Sequence, residues 1–379
     1  MDKPSLDYVL SRGVDTVLPG REALKRLMEK RKITLYQGFD PTMPSLHVGH
    51  FIGLRKLSHF QKLGHKVIFL VGDFTAMIGD PTDKASARKK LTKQKVRRNL
   101  AKYKDQARKI INFEGANPAE IKFNSEWLGE LGFEKVLHLA SSFTVQQMIE
   151  RSMFRERISS GKPVFLHEFF YPLMQGYDSV AMGVDLEIGG TDQLFNMLAG
   201  RALTKEITGR QKYVLTTKLL TDEKGQKMGK TEGNAIFLSD RPEQIFGKIM
   251  AMSDEMIVPA GELLTDMPLE FLDGPMERKA QIAHEVVSQI YGIDEAERAG
   301  EYFKKTFQKR EPDFSRKARA GVLSKVVSRA ANVSMTSAKR LIKTGAVDVD
   351  ERTVTNPAED ISVGRNVKVG KKTFVKVIK

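Results

Sequence analysis

The fold class the sequence predicts is α/β: a mostly parallel, doubly wound sheet, then a helical region, then a small α+β unit. Three observations predict it. Between about residues 33 and 220, short runs rich in β-branched residues alternate with amphipathic helical stretches. From about 240 to 308 only helical periodicity remains. Beyond about 313, one short helical stretch is followed by strictly alternating segments.

Taken in chain order, residues 34–38 read as a strand that ends in a loop. Residues 48–63 read as a helix with Val48, Phe51, Ile52, Leu57, Phe60 and Leu63 turned inward, stopped by Gly64. Residues 67–71 are a buried strand by length and β-branching, and Gly72 and Gly79-Asp80-Pro81 punctuate the loops after it. The stretch 89–109 is expected to be helical through Leu91, Leu100, Tyr103 and Ala107. Residues 184–188 are expected as a strand broken by Gly189-Gly190, 194–204 as a helix, and 213–215 as a further strand.

Asp240-Arg241-Pro242-Glu243 offers a capping residue, an early proline and a reciprocal acid, and opens the helical region. There Ile282, Val286, Val287 and Ile290 share a face. Residues 309–313 read as a polar linker. In the last part, 336–343 is helical up to Gly345, 346–350 alternates, and 366–378 is a second β-like run. Asp350-Glu351-Arg352 stands where an Asn-Gly pair would favour a hairpin, which weakens the turn expected there. The expected domains are 1–233, with a helical insert at about 110–165, then 234–312 and 313–379.

Composition narrows the function classes. With no cysteine in 379 residues, there is no disulfide framework and no thiolate ligand or nucleophile. Met1-Asp2-Lys3-Pro4-Ser5 lacks a secretory pattern, and no apolar run approaches the ~20 residues of a membrane span. A cytoplasmic protein, away from membranes, is the expectation. The net charge of +15 is concentrated. Residues 84–109 hold 12 Lys and Arg against one acid, and 315–379 hold 15 against 5. Two basic regions on a mildly acidic body suit a polyanionic partner gripped at two places.

Two motifs carry the chemistry. His47-Val48-Gly49-His50 follows the turn-rich Gln37-Gly38-Phe39-Asp40-Pro41-Thr42-Met43-Pro44-Ser45. Two imidazoles three apart at a helix start, with the free backbone N–H groups there, suit an anion. Gly49 lets a ligand approach the backbone closely. Lys227-Met228-Gly229-Lys230-Thr231 lies in a turn-rich stretch whose ammonium groups can close over phosphates. Lys84 and Arg88 form a further cationic pair at the start of the first basic region. Together these suit attack on the α-phosphorus of ATP. A metal site is not expected, because no third ligand accompanies the histidines at a fixed spacing.

The chain resembles the class I aminoacyl-tRNA synthetases, with HVGH and KMGKT as their two signature motifs. It resembles most the bacterial tyrosyl-tRNA synthetases, through Tyr36-Gln37-Gly38-Phe39-Asp40-Pro41-Thr42, Tyr171-Pro172-Leu173-Met174-Gln175-Gly176-Tyr177-Asp178 and Gly189-Gly190-Thr191-Asp192-Gln193. The resemblance covers essentially the whole chain. It implies a Rossmann-like catalytic domain, a helical anticodon-arm domain and a small RNA-binding domain of ribosomal-protein type.

The resemblance also implies roles. Tyr36 and Asp178 would bond the substrate phenol, and Asp80, Tyr171 and Gln175 its ammonium group. Gly38, Asp40, Gly49, Gly190, Asp192 and Gln193 would face ATP, with Asp192 on the ribose. Thr42, His47, His50, Lys84, Arg88, Lys227, Lys230 and Thr231 would meet the phosphates. Magnesium would come with the triphosphate, without a dedicated protein site. The partners implied are L-tyrosine, tRNA(Tyr) and a second copy of the chain, the last through the region around residues 127–154. Lys325, Arg329, Lys339, Arg340 and Lys343 would contact RNA. Competing expectations are a tryptophanyl-tRNA synthetase, a nucleotidyltransferase of coenzyme synthesis, and a synthetase-derived non-catalytic RNA-binding protein. The Tyr36/Asp178 pair and the basic last unit speak against the first.

Overall fold

Runs of apolar and β-branched residues give the sheet its strands. They are β1 (Val14–Leu18), β2 (Thr34–Phe39), β3 (Lys66–Val71), β4 (Glu120–Phe123), β5 (Leu186–Gly190) and β6 (Tyr213–Thr217). Their spatial order is β1-β6-β5-β2-β3-β4. Strands β2 to β6 run parallel, and β1 closes one edge antiparallel to β6. In β3, everything after Lys66 is buried, as a strand covered on both faces requires. The order reverses between β2 and β5, which opens a crevice at their carboxyl ends.

The computed structural model describes residues 3–379 except 82–90, 223–224, 226, 229–234, 269–273, 309–313, 315 and 371–372. The chain divides into two compact units, 1–296 and 297–379. The helices Pro242–Met250, Ile257–Leu264 and Pro275–Tyr291 belong to the first unit. The expected linker at 309–313 lies outside the described residues.

Helix Val48–Lys62 follows β2 and buries Phe51, Leu54, Leu57 and Phe60 completely. It gives way at Gly64, whose φ of 83° suits the glycine that ends it. Helices Leu166–Met182 and Leu194–Thr208 cross at a pair of glycines. A Cβ on Gly176 would stand 3.0 Å from the Gly200 backbone nitrogen. That close approach sets Gln175, Asp178 and Ser179 against Asn196 and β5.

Several elements differ from expectation. Strand β5 runs through Gly189 and Gly190 instead of breaking there, and both pair with β6. The reason is packing: a Cβ at Gly189 would meet Met197 Sδ at 2.8 Å. The described part of the first basic stretch is two short helices, Lys93–Leu100 and Tyr103–Ala107. Arg241, not Asp240, occupies the N-cap position of helix Pro242–Met250; its side chain makes no capping bond, and its amide donates to Gln244 Oε1 at 3.1 Å. Asp240 instead accepts from the Phe237 amide and Lys248.

In the second unit the strands are β7 (Lys317–Arg319), β8 (Gly321–Val322), β9 (Val347–Val349), β10 (Arg352–Thr353), β11 (Asp360–Ile361), β12 (Asn366–Val369) and β13 (Thr373–Ile378). Five of them form a sheet ordered β10-β9-β12-β13-β7, and β8 pairs with β11. Helices Leu323–Ala331 and Met335–Lys343 pack Val326, Val327, Ala338 and Ile342 with Val347, Val367 and Val377 in one core. The β9–β10 hairpin forms without an Asn-Gly pair. Asp350 and Glu351 take φ of 45° and 67°, and Asp350 is held by Arg365 at 2.6 Å and the Asn366 amide at 2.7 Å.

Candidate active site

The crevice between β2 and β5 is a cavity of about 560 Å³. Tyr36, Gly38 and Asp40 enter it from β2 and its loop, and Thr42, His47, Gly49 and His50 from the segment that starts helix Val48–Lys62. Asp80, Tyr171, Gln175, Asp178, Gly190, Asp192, Gln193 and Lys227 complete the set of expected residues that line it. Lys84, Arg88, Lys230 and Thr231 lie outside the described residues.

At the helix start the two imidazoles cap the backbone reciprocally. His47 Nδ1 accepts from the Gly49 amide, and His50 Nδ1 from the His47 amide, each at 3.1 Å. Both Nδ1 atoms are therefore acceptors, and each ring carries its proton on Nε2. The rings lie 3.8 Å apart between centroids. The expected free backbone amides are not free. Val48 N–H goes to the Ile236 carbonyl, and His50 N–H to that of His47. The donor character of the site thus comes from the imidazole Nε2–H groups and the positive end of the helix dipole.

The second motif is tied to the first. Strand-like bonds join Val48 to Ile236 and Leu238 to Leu46, each 2.8 Å, so the chain just beyond the KMGKT segment runs alongside His47. Lys227 Nζ stands 2.8 Å from Asp192 Oδ2. A residue expected on phosphate and one expected on ribose are paired here, so nucleotide binding would have to part them.

Part of the lining is a buried polar cluster around Tyr36 and Asp178, called the slot below. Tyr36, fully buried, bonds Ser179 Oγ at 2.8 Å. Asp178 Oδ1 accepts from Trp127 Nε1 at 2.7 Å and Oδ2 from Asn124 Nδ2 at 3.2 Å. Burial pushes the Asp178 carboxyl well above the usual carboxylate range, against the pull of those two donors. Burial likewise raises the Tyr36 and Tyr171 phenols, which stay neutral donors. Tyr171 donates to Asp40 Oδ2 at 3.0 Å, and Thr75 donates to Asp40 Oδ1 at 2.8 Å. Tyr171 and Asp40, expected on different substrates, are thus joined. Gly72 makes room for this carboxylate, since a Cβ there would stand 1.9 Å from Asp40 Oδ1.

A chain of amides links the slot to the nucleotide side. Gln175 Nε2 donates to Glu187, and Asn196 Nδ2 donates to the oxygens of Gln175 and Gln193. Gln193 Nε2 then donates to Asp80 at 2.8 Å. Lys212, fully buried, donates to Glu187, and burial pushes its ammonium down while that carboxylate holds it up. Sequence reasoning missed Thr75, Asn124, Trp127, Ser179, Glu187, Asn196 and Lys212. Only Glu187 carried a signal, an acid inside an otherwise apolar strand.

A parallel sheet with paired imidazoles at a strand-to-helix junction and a lysine segment across the crevice defines a nucleotide-dependent ligase. Residues 28–308 match the family described as tRNA synthetases class I (W and Y), and the chain belongs to that family. Within it the chain falls in the tyrosine branch. It is 40% identical to a tyrosine–tRNA ligase of Carboxydothermus hydrogenoformans, over 98% of this chain and 97% of that one. It is 38% identical to that of Aquifex aeolicus, with the same coverage of this chain and 97% of the other. A C-terminally truncated mitochondrial tyrosyl-tRNA synthetase from Coccidioides posadasii superposes with a TM-score of 0.64 at 26% identity, covering 78% of this chain and 90% of that one. The tryptophan, coenzyme-transferase and non-catalytic expectations are not favoured by these relatives.

Proposed function

We propose that the chain activates L-tyrosine with ATP to tyrosyl-adenylate and pyrophosphate, then transfers tyrosine to the 3′ end of tRNA(Tyr). The observation that carries it is one cavity holding both the slot around Tyr36 and Asp178 and the paired Nε2–H donors of His47 and His50. The substrate carboxylate attacks the α-phosphorus, so the protein supplies no nucleophile. Tyr36 and Asp178 read the phenol, while Asp80, Tyr171 and Gln175 surround the ammonium group. Asp192, Gly190 and Gln193 take the adenosine side. The histidines, Thr42, Lys227 and, outside the described residues, Lys84, Arg88, Lys230 and Thr231 stabilise charge gathering on the leaving pyrophosphate. Among the described residues no three His, Asp or Glu side chains converge on a metal position. Magnesium would be held by the triphosphate.

Pyrophosphate exchange into ATP tests this reading with tyrosine, tryptophan and phenylalanine in parallel. Exchange with tyrosine alone is expected; exchange with tryptophan instead would discredit the roles of Tyr36 and Asp178.

The transfer step uses the basic regions. Lys325, Arg329, Lys339, Arg340 and Lys343 are all exposed, on the two helices whose opposite faces build the core of the second unit. We assign that face to tRNA, within a three-part division at about 233 and 312. Removing residues from about 315 onward is expected to leave tyrosine-dependent exchange intact and to cut tRNA charging sharply. Equal loss of both would refute the division. A homodimer is supported by Phe133, Leu137, Val145, Ile158, Phe165 and Leu166, large apolar side chains exposed along 133–166. Sedimentation as a single chain would remove that part of the reading. No helix among the described residues is long and apolar enough to cross a membrane, and a cytoplasmic setting is the one proposed.

A further inference from the structure

Glu187 and Lys212 form an ion pair that the chemistry above does not use. Glu187, on β5, is 2% exposed, and Lys212, just before β6, is fully buried. Lys212 Nζ donates to Glu187 Oε2 and, at 3.4 Å, to the Met197 carbonyl. It fills the notch at Gly200, where a Cβ would stand 2.5 Å from Nζ.

The pair reaches polar groups on two sides of the slot. Glu187 Oε1 accepts from Gln175 Nε2 at 3.0 Å, while Gln175 Oε1 accepts from Asn196 at 2.9 Å. An ionised carboxylate only accepts, so it fixes which way the Gln175 amide faces. On the other side, Ser179 Oγ donates to Glu187 Oε2 at 3.4 Å, which leaves Ser179 to accept from Tyr36 at 2.8 Å. Lys212 Nζ also lies 5.9 Å from the centroid of the Tyr36 ring. As a stabilising device such a pair is poor, because an apolar pair of similar volume serves packing as well.

We propose that the Glu187–Lys212 pair positions the amino-acid substrate: Lys212 anchors the Glu187 carboxylate, and that carboxylate orients the Gln175 amide and the Ser179–Tyr36 hydroxyl chain. This rests on reading the slot as the tyrosine site. Lys212 does not line the cavity and acts through Glu187, whose carboxylate lines it and holds the Gln175 amide and the Ser179 hydroxyl. The titratable groups that face the pair are Tyr36 from β2 and Asp178 from helix Leu166–Met182. Helix Leu194–Thr208 meets the pair at Met197 and Gly200, neither of them titratable.

Lys212→Met removes the donor that anchors Glu187 Oε2, so the buried carboxylate loses its fixed position. The Gln175 amide and the Ser179 hydroxyl then lose the acceptor that orients them. Pyrophosphate exchange is measured while tyrosine and ATP are varied separately, with thermal unfolding recorded alongside. The tyrosine KM of Lys212→Met is expected to rise about 10- to 100-fold. The ATP KM should stay within about twofold of the parent. The neutral double variant Glu187→Gln with Lys212→Met should show a tyrosine KM raised about 10-fold. It decides the matter if the single variant does not fold. A tyrosine KM equal to the parent's in either folded protein overturns the proposal, as do tyrosine and ATP KM values that rise together. Absence of tyrosine-dependent exchange in the parent would overturn the slot reading itself, which is a separate failure.

Discussion

A His47→Ala variant is expected to form tyrosyl-adenylate about 100-fold more slowly than the parent while its affinity for tyrosine is unchanged. The geometry dictates the split. His47 Nδ1 is occupied by the Gly49 amide, so the ring can meet a ligand as a donor only through Nε2, and it enters the cavity from the start of helix Val48–Lys62, whereas Tyr36 comes from β2 and Asp178 from helix Leu166–Met182. Removing a donor aimed at charge that develops during reaction raises the barrier by about 3 kcal/mol. The lost cap costs about 1 kcal/mol of stability, which a folded protein of this size absorbs. Rapid-quench measurement of adenylate formation, with equilibrium dialysis of tyrosine, separates the two effects. An unchanged rate would remove His47 from the chemistry. A matching loss of tyrosine affinity would show that the whole β2–helix junction had collapsed.

Asp178→Asn is expected to reduce tyrosine-dependent exchange by about 100-fold or more and to narrow the preference for tyrosine over phenylalanine. Asp178 already accepts from Trp127 and Asn124, and it is 2% exposed. An amide in its place turns an NH₂ toward one of those donors, leaving two buried hydrogens facing each other at a cost of about 1–3 kcal/mol. It also withdraws an acceptor from the substrate hydroxyl. Phenylalanine has no hydroxyl to lose, so its already poor activation should fall less. Exchange rates with both amino acids give the ratio. A ratio equal to the parent's would mean that the phenol is read by groups other than Asp178.

The parallel sheet was legible because it is written in short, contiguous apolar runs. The signature motifs were legible because strand-to-helix junctions concentrate Gly, Pro, His and Asp. Element ends were less so. Gly189-Gly190 reads as a break in isolation, and only the thioether of Met197 packed on it explains an extended backbone. Asp350-Glu351 reads as a poor turn until Arg365 and the Asn366 amide, far along the chain, are seen to hold it. The residues that support the slot were invisible for the same reason. Asn124, Ser179, Asn196 and Lys212 are ordinary polar residues in sequence, and Lys212 looks like a solvated lysine at a strand start. Their role exists only through partners the fold brings together, for Ser179, Asn196 and Lys212 around the Gly176–Gly200 crossing and for Asn124 at Thr75 and Asp178.

Trp127 is the single tryptophan of the chain, and its indole N–H is bonded to Asp178 in the slot. All indole emission from the protein therefore originates at one point, a few ångströms from where the substrate ring is read. Filling the slot alters the polarity around that indole and the electron demand on its N–H. The molecule carries its own optical gauge of amino-acid occupancy, which needs no label.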